Sequence, residues 1–191
     1  MWLHQVKQES SEQFTINWKP FSLAQVNQQV GDGHLVWEEP EENLPSGIWG
    51  LRAGFAAQQQ GGEPFEKFFI SLLLARHVDR SDLGDKSLLS DLAVKAGLDL
   101  ARFQKDLNSE DSLREIAESH TEAVEIYGIF GTPTFRFSDG STVFLKMINP
   151  ENSDDAMGSF NSLMELMTKG LFVGEMKRPQ PPWPRGVFST K

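Results

Sequence analysis

The sequence predicts an α/β protein in which a long run of helices is inserted between two parts of one sheet. Three observations carry this. Phe14, Ile16 and Trp18 alternate with Thr15, Asn17 and Lys19, the period of a strand with one buried face. Asp139-Gly140 stands between two alternating apolar runs, a two-residue hairpin signal that predicts strands over 134–138 and 142–148. Between these lies a series of helical patterns with their own start and stop residues, from Ser46 to Gly128.

Taken in order, Trp2, Leu3 and Val6 share one helical face, so residues 1–10 read as a helix, one with no Ser, Thr, Asp or Asn ahead of it as a cap. Pro20 limits how far the following strand can extend its ladder. Beyond Ser22, Gly31-Asp32-Gly33, the run Glu38-Glu39-Pro40-Glu41-Glu42 and Leu44-Pro45 mark loops. Ser46 is placed to cap a helix that carries Ile48, Leu51, Phe55 and Ala56 and stops at Gly61. Pro64 suits the first turn of the next, whose Phe65, Phe68, Phe69, Leu72 and Leu73 form a wide apolar face. Asp85 caps a third, with Leu88, Leu89, Leu92, Ala93 and Ala96 inward and Gly97 as its stop. Asp99 caps a short fourth, with Phe103 and Leu107 inward. Ser109 or Asn108 opens a fifth, acidic in its first turn at Glu110 and Asp111 as the helix dipole prefers, passing Leu113, Ile116 and Val124 to Gly128. Ser153 opens the last helix, with Met157, Phe160, Leu163, Met164 and Met167 turned to the sheet. From Lys177 onward, Pro179, Pro181, Pro182 and Pro184 rule out regular structure, so 177–191 is expected as an extended Pro-rich tail anchored by Trp183.

A chain of 191 residues with 39% hydrophobic content holds one buried core, or one domain carrying a large insertion. The formal charge of −9 argues against nucleic-acid and anionic-membrane partners, because phosphate backbones are bound by clustered Lys and Arg. No apolar stretch approaches the roughly 18 to 20 residues that span a bilayer, and the first residues do not resemble a secretory signal, so a cytoplasmic protein is expected. There is no cysteine, which excludes disulfides, thiolate nucleophiles and Cys-ligated metals from this chain.

The segment from Gly128 to Gly140 organises the rest: Gly128 and Gly131 tolerate positive φ, and Thr132-Pro133 is an X-Pro bond, for which the cis form costs only about 0.5 to 1 kcal/mol. With Gly131-Thr132-Pro133-Thr134, the chain resembles the thioredoxin superfamily in its DsbA-like, bacterial cytoplasmic branch, in which such a segment ends a helical insertion and carries a cis-proline. Trp18-Lys19-Pro20-Phe21-Ser22-Leu23, Leu74-Ala75-Arg76-His77, Ala96-Gly97-Leu98-Asp99 and the hairpin from Phe137 to Lys146 extend the resemblance, in order and rough spacing, to about Gly170.

The resemblance implies a thioredoxin-like fold with a helical insertion: a discontinuous domain over 1–21 and 128–176, the insertion over 22–127, and the tail. In that fold the first strand is central and the redox motif follows it. This chain starts inside the first helix, so the first strand is expected to be missing together with the cysteines, as in a truncated homologue. Self-association or marginal stability follows if the slot between Phe14–Trp18 and the hairpin stays open. The resemblance also implies that backbone at Gly131, Thr132 and Pro133 pairs with an extended thiol substrate or with glutathione.

Residue by residue, no catalytic group is assigned. Ser22 and Ser71 do not lie at the end of a first strand, where a serine could replace a redox cysteine. Trp18, Trp37 and Trp49 are the tryptophans that could line a flat pocket, with Trp18, Trp37 and His77 the candidate pocket residues, although tryptophans of a core or loop anchor and a histidine at a helix end account for the same pattern. His120 falls on the apolar side of its helix and reads as a neutral imidazole bonded to backbone; His4 and His34 have no partner evident in sequence. No histidine pair has metal spacing, so no metal is expected, and the Glu38 to Glu42 run reads as a solvated loop. Three functions stand: a DsbA-family oxidoreductase homologue that is redox-inactive without Cys, a non-redox protein binding a small thiol or an extended peptide, and a glutathione-dependent transferase or isomerase. No cofactor is expected apart from glutathione or another small thiol.

Overall fold

The computed structural model describes residues 2–10, 15–28, 33–146 and 153–176, with side chains in the last helix from Ala156 onward. The chain separates into two compact units: Trp18–Thr132 is one, and the residues up to Asn17 together with those from Pro133 onward are the other. Phe14 and the tail over 177–191 lie outside the described residues.

The larger unit is a helical body of α2 (Leu23–Val26), α3 (Ser46–Gln58), α4 (Gly62–His77), α5 (Lys86–Ala96), α6 (Leu100–Leu107) and α7 (Glu110–Glu125), with short 3-10 turns at Val36–Glu38 and Glu41–Asn43. Local chemistry sets most helix starts. The Asp85 carboxylate accepts from the amides of Ser87 (2.8 Å) and Leu88 (3.3 Å), and that of Asp99 accepts from Arg102 N (2.8 Å). Ser109 Oγ accepts from Asp111 N at 3.1 Å, and Gly97 ends α5 at φ 83°, a left-handed conformation that glycine adopts at no steric cost. Ser46 is different: it is the first helical residue and Pro45 occupies the cap position with no side-chain acceptor. The regular helix runs to Gln58, its bonding continues to Gly61 N–H on Ala57 O at 3.3 Å, and Gly61 and Gly62 at φ 62° and 64° turn the chain into α4, the stop expected there.

Helix α3 lies at the middle of this body, buried at Ile48, Trp49, Gly50, Arg52, Ala53, Ala56 and Ala57. The core around it gathers Phe68 and Leu72 of α4, Leu89 and Ala93 of α5, Phe103 and Leu107 of α6 and Ile116 of α7; the Phe68 and Phe103 rings meet at 5.3 Å. Leu73 of the expected apolar face is only partly buried, whereas Ala75 is buried.

The smaller unit holds α1 (Trp2–Glu9), β1 (Thr134–Arg136), β2 (Thr142–Phe144) and α8 (Ser153–Lys169). Trp2 and Val6 of α1 pack with Ala156 of α8, Trp2 Nε1 donates to Ala156 O at 3.1 Å, and Phe135, Leu145, Met157, Phe160 and Leu163 close around them. Among the described residues the sheet has two strands, antiparallel, pairing Thr134 with Phe144, Phe135 with Val143 and Arg136 with Thr142. Leu145 N–H extends the pairing to Pro133 O at 3.1 Å.

The hairpin corrects the two-residue turn expected at Asp139-Gly140. Phe137 N–H donates to Ser141 O at 2.9 Å and Gly140 N–H to Phe137 O at 3.0 Å, so the loop is Ser138-Asp139-Gly140, closed by Gly140 at φ 86°. Asp139 steadies it by accepting from the Ser141 amide (2.9 Å) and hydroxyl (2.7 Å). The strands are shorter than 134–138 and 142–148, the end of the latter lying outside the described residues.

The strand expected over Phe14–Trp18 is a second correction: residues 15–18 belong to no ladder. The inside-outside alternation is nevertheless present, with Ile16 and Trp18 partly buried and Thr15, Asn17 and Lys19 exposed. A period of two reports which side chains face inward, and any extended segment packed on other elements satisfies it without strand partners. With no strand there, the expected slot between two facing strands does not arise in that form.

One polar atom of the smaller unit is poorly served. Gln5 Oε1 on α1 is fully buried without a hydrogen-bond partner, a condition that costs on the order of 1 to 3 kcal/mol. Gln5→Met, which keeps the length and removes the acceptor, is expected to raise stability by about 1 kcal/mol, seen as a higher urea midpoint at constant slope. A midpoint that falls shows that the amide is satisfied in solution.

Candidate functional site

The helical body builds one aromatic corner around a histidine. From its Ser109 cap, α7 carries Ser112, Ile116, Ser119 and His120 on its buried face. The last two reach the chain that leads into α2: Ser119 Oγ donates to Pro20 O at 2.8 Å, and His120 Nδ1 accepts from Ser22 N–H at 3.2 Å. Ser22 also caps α2, its Oγ accepting from Gln25 N at 3.1 Å. Gln25 in turn holds the following loop, its Nε2 donating to His34 O and its Oε1 accepting from Val36 N, both at 2.8 Å. Buried Val36 fixes the next residue, and the Trp37 ring lies 5.4 Å from that of His120, while Phe21 lies 4.6 Å from it.

These bonds decide the state of the imidazole. Because Nδ1 accepts a backbone N–H, the proton of neutral His120 sits on Nε2. The residue is 6% exposed, and burial pushes its pKa below the ordinary histidine value. A second proton on Nδ1 would set a donor against the Ser22 donor. Neither His120 Nε2–H nor Trp37 Nε1–H donates to a described residue; among the described residues Gln5 Oε1 is the one fully buried side-chain nitrogen or oxygen without a partner, so both of these donors keep access to solvent. The corner is therefore a neutral, aromatic-walled hydrogen-bond donor, and Nε2 in this tautomer is no general base.

The residues singled out from sequence fall in several places. Gly131 is buried, Thr132 and Pro133 are exposed, and the chain passes from one unit to the other between the last two. Trp18 is half-buried with its ring 4.6 Å from Phe69, and its carbonyl accepts from Gln58 Nε2 at 3.3 Å. His77 is exposed at the end of α4, its pKa lowered first by desolvation and then by Arg76 and Arg80. Trp18, Trp37 and His77 thus do not share one set of ring contacts: Phe69 holds the first and His120 the second. Ser22 and Ser71 are backbone-bonding residues, the latter donating to Lys67 O at 2.9 Å. His34 and His4 do find partners, Glu39 Oε1 at 2.9 Å and Gln8 Nε2 at 3.0 Å.

Trp49, the third tryptophan considered for a pocket, stands in a separate cluster whose partners the sequence did not indicate. Trp49 and Arg52, three apart on α3, meet with the guanidinium carbon 4.5 Å from the ring centre, and Lys86 Nζ lies 4.1 Å from the same ring. Arg52 is 3% exposed and donates to Ser112 Oγ (2.9 Å) and Ser109 O (3.3 Å). Lys86 pairs with Glu41, which lowers the Glu41 pKa, and donates to Asn108 Oδ1 at 3.1 Å. One member of the acidic run thus closes on a lysine beside an open depression of about 620 Å³ that Trp49 and Asp82 also line. Among the described residues no group of three His, Asp or Glu is placed to hold a metal ion, and no helix is long and apolar enough to cross a membrane.

A pH dependence follows from the corner. The folded pKa of His120 is lowered, so as pH falls the unfolded chain takes up the proton first; the stability this residue contributes is full above about pH 6.5 and is lost below it. His120→Asn, whose Oδ1 still accepts from Ser22 N–H, is expected to flatten the decline of Tm between pH 7 and pH 5. An unchanged decline assigns the acid sensitivity elsewhere, His77 being shifted in the same direction.

Residues 48–158 match the family described as the DSBA-like thioredoxin domain. The ClpXP adapter protein SpxH of Bacillus subtilis (strain 168) is 28% identical over 106 residues, 56% of this chain and 35% of that protein, so the match spans about a third of the relative's length. With more than half of its residues inside the matched span, this cysteine-free chain belongs to the DSBA-like thioredoxin family.

Proposed function

We propose that this chain works in the cytoplasm by binding an extended polypeptide segment and not by thiol exchange. The observation that carries the reading is the absence of any cysteine from 191 residues of a family named for a thiol-disulfide fold. Exchange proceeds by attack of a thiolate on a disulfide sulfur, and no other side chain replaces that nucleophile. Binding needs no thiol. A relative described as an adapter protein supports a role in holding other proteins. The exposure of Thr132 and Pro133 supports their use as backbone contacts, with Gly131 beside them.

Two measurements test this. In an insulin-reduction assay and a dithiol-peptide oxidation assay the purified chain is expected to show no turnover above buffer. In calorimetric titrations a mixture of capped, uncharged, cysteine-free hexapeptides is expected to bind saturably. Turnover in either assay, saturation by glutathione alone, or no binding at all overturns the proposal.

A further inference from the structure

We infer that His120, Trp37 and Phe21 form the subsite that reads a main-chain carbonyl of the bound segment, with His120 Nε2–H as the donor. The inference rests on the binding function proposed above and names the group that recognises its ligand.

The Ser22 amide holds the ring. Its hydrogen bond to Nδ1 fixes both the ring orientation and the tautomer, so a single donor, Nε2–H, is presented outward. That donor sits on a ring only 6% exposed as a residue, keeps its own access to solvent and meets no acceptor among the described residues. A ligand supplies one. The flanking rings say what kind: Phe21 and Trp37 pack against the imidazole with ring centres 4.6 Å and 5.4 Å away, tilted by 38° and 58°, so the surroundings of the donor are apolar. An amide carbonyl is desolvated there at far lower cost than a carboxylate, which would also meet a neutral imidazole within a chain of net charge −9. Trp37, its ring 5.4 Å from the imidazole, likewise has an Nε1–H without an acceptor among the described residues. Neutral acceptors are what an extended backbone offers.

The test separates the two nitrogens of His120. Asn at this position places an acceptor where Nδ1 stood and nothing at Nε2; Gln places an amide donor near Nε2. Both variants are first checked for a cooperative melt. With the capped hexapeptide mixture as ligand, His120→Asn is expected to bind about tenfold or more weakly, while His120→Gln stays within about threefold of the parent. In ¹⁵N-edited spectra of the imidazole, the free protein is expected to show the Nε2–H form, and its Nε2 signal should move on adding the peptides and stay in place on adding glutathione. Unchanged peptide binding by His120→Asn, an Nδ1–H imidazole, or a response to glutathione alone overturns the subsite. The first two results leave a binding function standing. No binding by the parent chain overturns both.

Discussion

The helical body depends on how closely its helices can approach α3. A helix buried on almost every side must offer small residues where neighbours cross it, and Ala53, Ala56 and Ala57 do so. Gly50 instead makes room for the turn before α5, since a Cβ there would come within 2.7 Å of Leu83 Cδ1. The same close packing forces a charge inward. Arg52 lies between Trp49 and the start of α7, and burial lowers its pKa from a value so high that the guanidinium stays ionised. Its partners are a hydroxyl and a carbonyl, Ser112 and Ser109, and Ser109 is also the cap of α7. The buried arginine thus fixes where α7 begins. Because Ser112 and His120 are eight residues apart on one helical face, it also sets where the imidazole stands.

From there the geometry passes through polar bonds. Residues 18–28 and 33–37 contribute Val36 to the main core, with Ala24 and Trp37 packed against it, and are tied down by side chain to backbone bonds: Gln58 to Trp18, Ser119 to Pro20, Ser22 to His120, and Gln25 to both His34 and Val36. Each such bond contributes roughly 0.5 to 1.5 kcal/mol net, and leaving a buried partner unmet costs about 1 to 3 kcal/mol. Loss of one bond therefore costs more than its presence contributes. That asymmetry makes the corner specific in geometry: the chain stabilises one arrangement by leaving alternatives with unpaired donors.

How much of this was legible in the sequence depends on how local the deciding chemistry is. Asp85, Asp99, Ser109 and Gly97 act on amides and carbonyls a few residues away, and their helices stand where their residue types place them. Ser46 misled because Pro45 precedes it and takes the cap position, a competition that residue type alone does not rank. The strand over Phe14–Trp18 failed for another reason: alternation is a local property, whereas a ladder needs a partner from elsewhere in the chain. His120 was readable as a neutral, backbone-bonded imidazole from its helical face. That its partner would be Ser22, 98 residues earlier, was not, and neither was the meeting of Trp49 with Lys86.

Family membership and the lack of a thiol fit together once the matched span is laid on the fold. Residues 48–158 run from the first turn of α3 through the hairpin into α8, so membership rests on the helical body and on β1 and β2. That span supplies α7 and with it His120. Phe21, Ser22, Gln25 and Trp37, which fix the ring, set its tautomer and wall it with aromatic rings, all lie before residue 48. The shared scaffold therefore provides the position of the donor, while a segment outside the matched span provides its environment. That segment is tied to the core of α3, α4 and α6 as well, since Val36, held by Gln25, belongs to it and Trp37 packs against it. On the proposed reading, the DSBA-like body supplies the packing and the preceding segment supplies the polar and aromatic groups that meet the ligand.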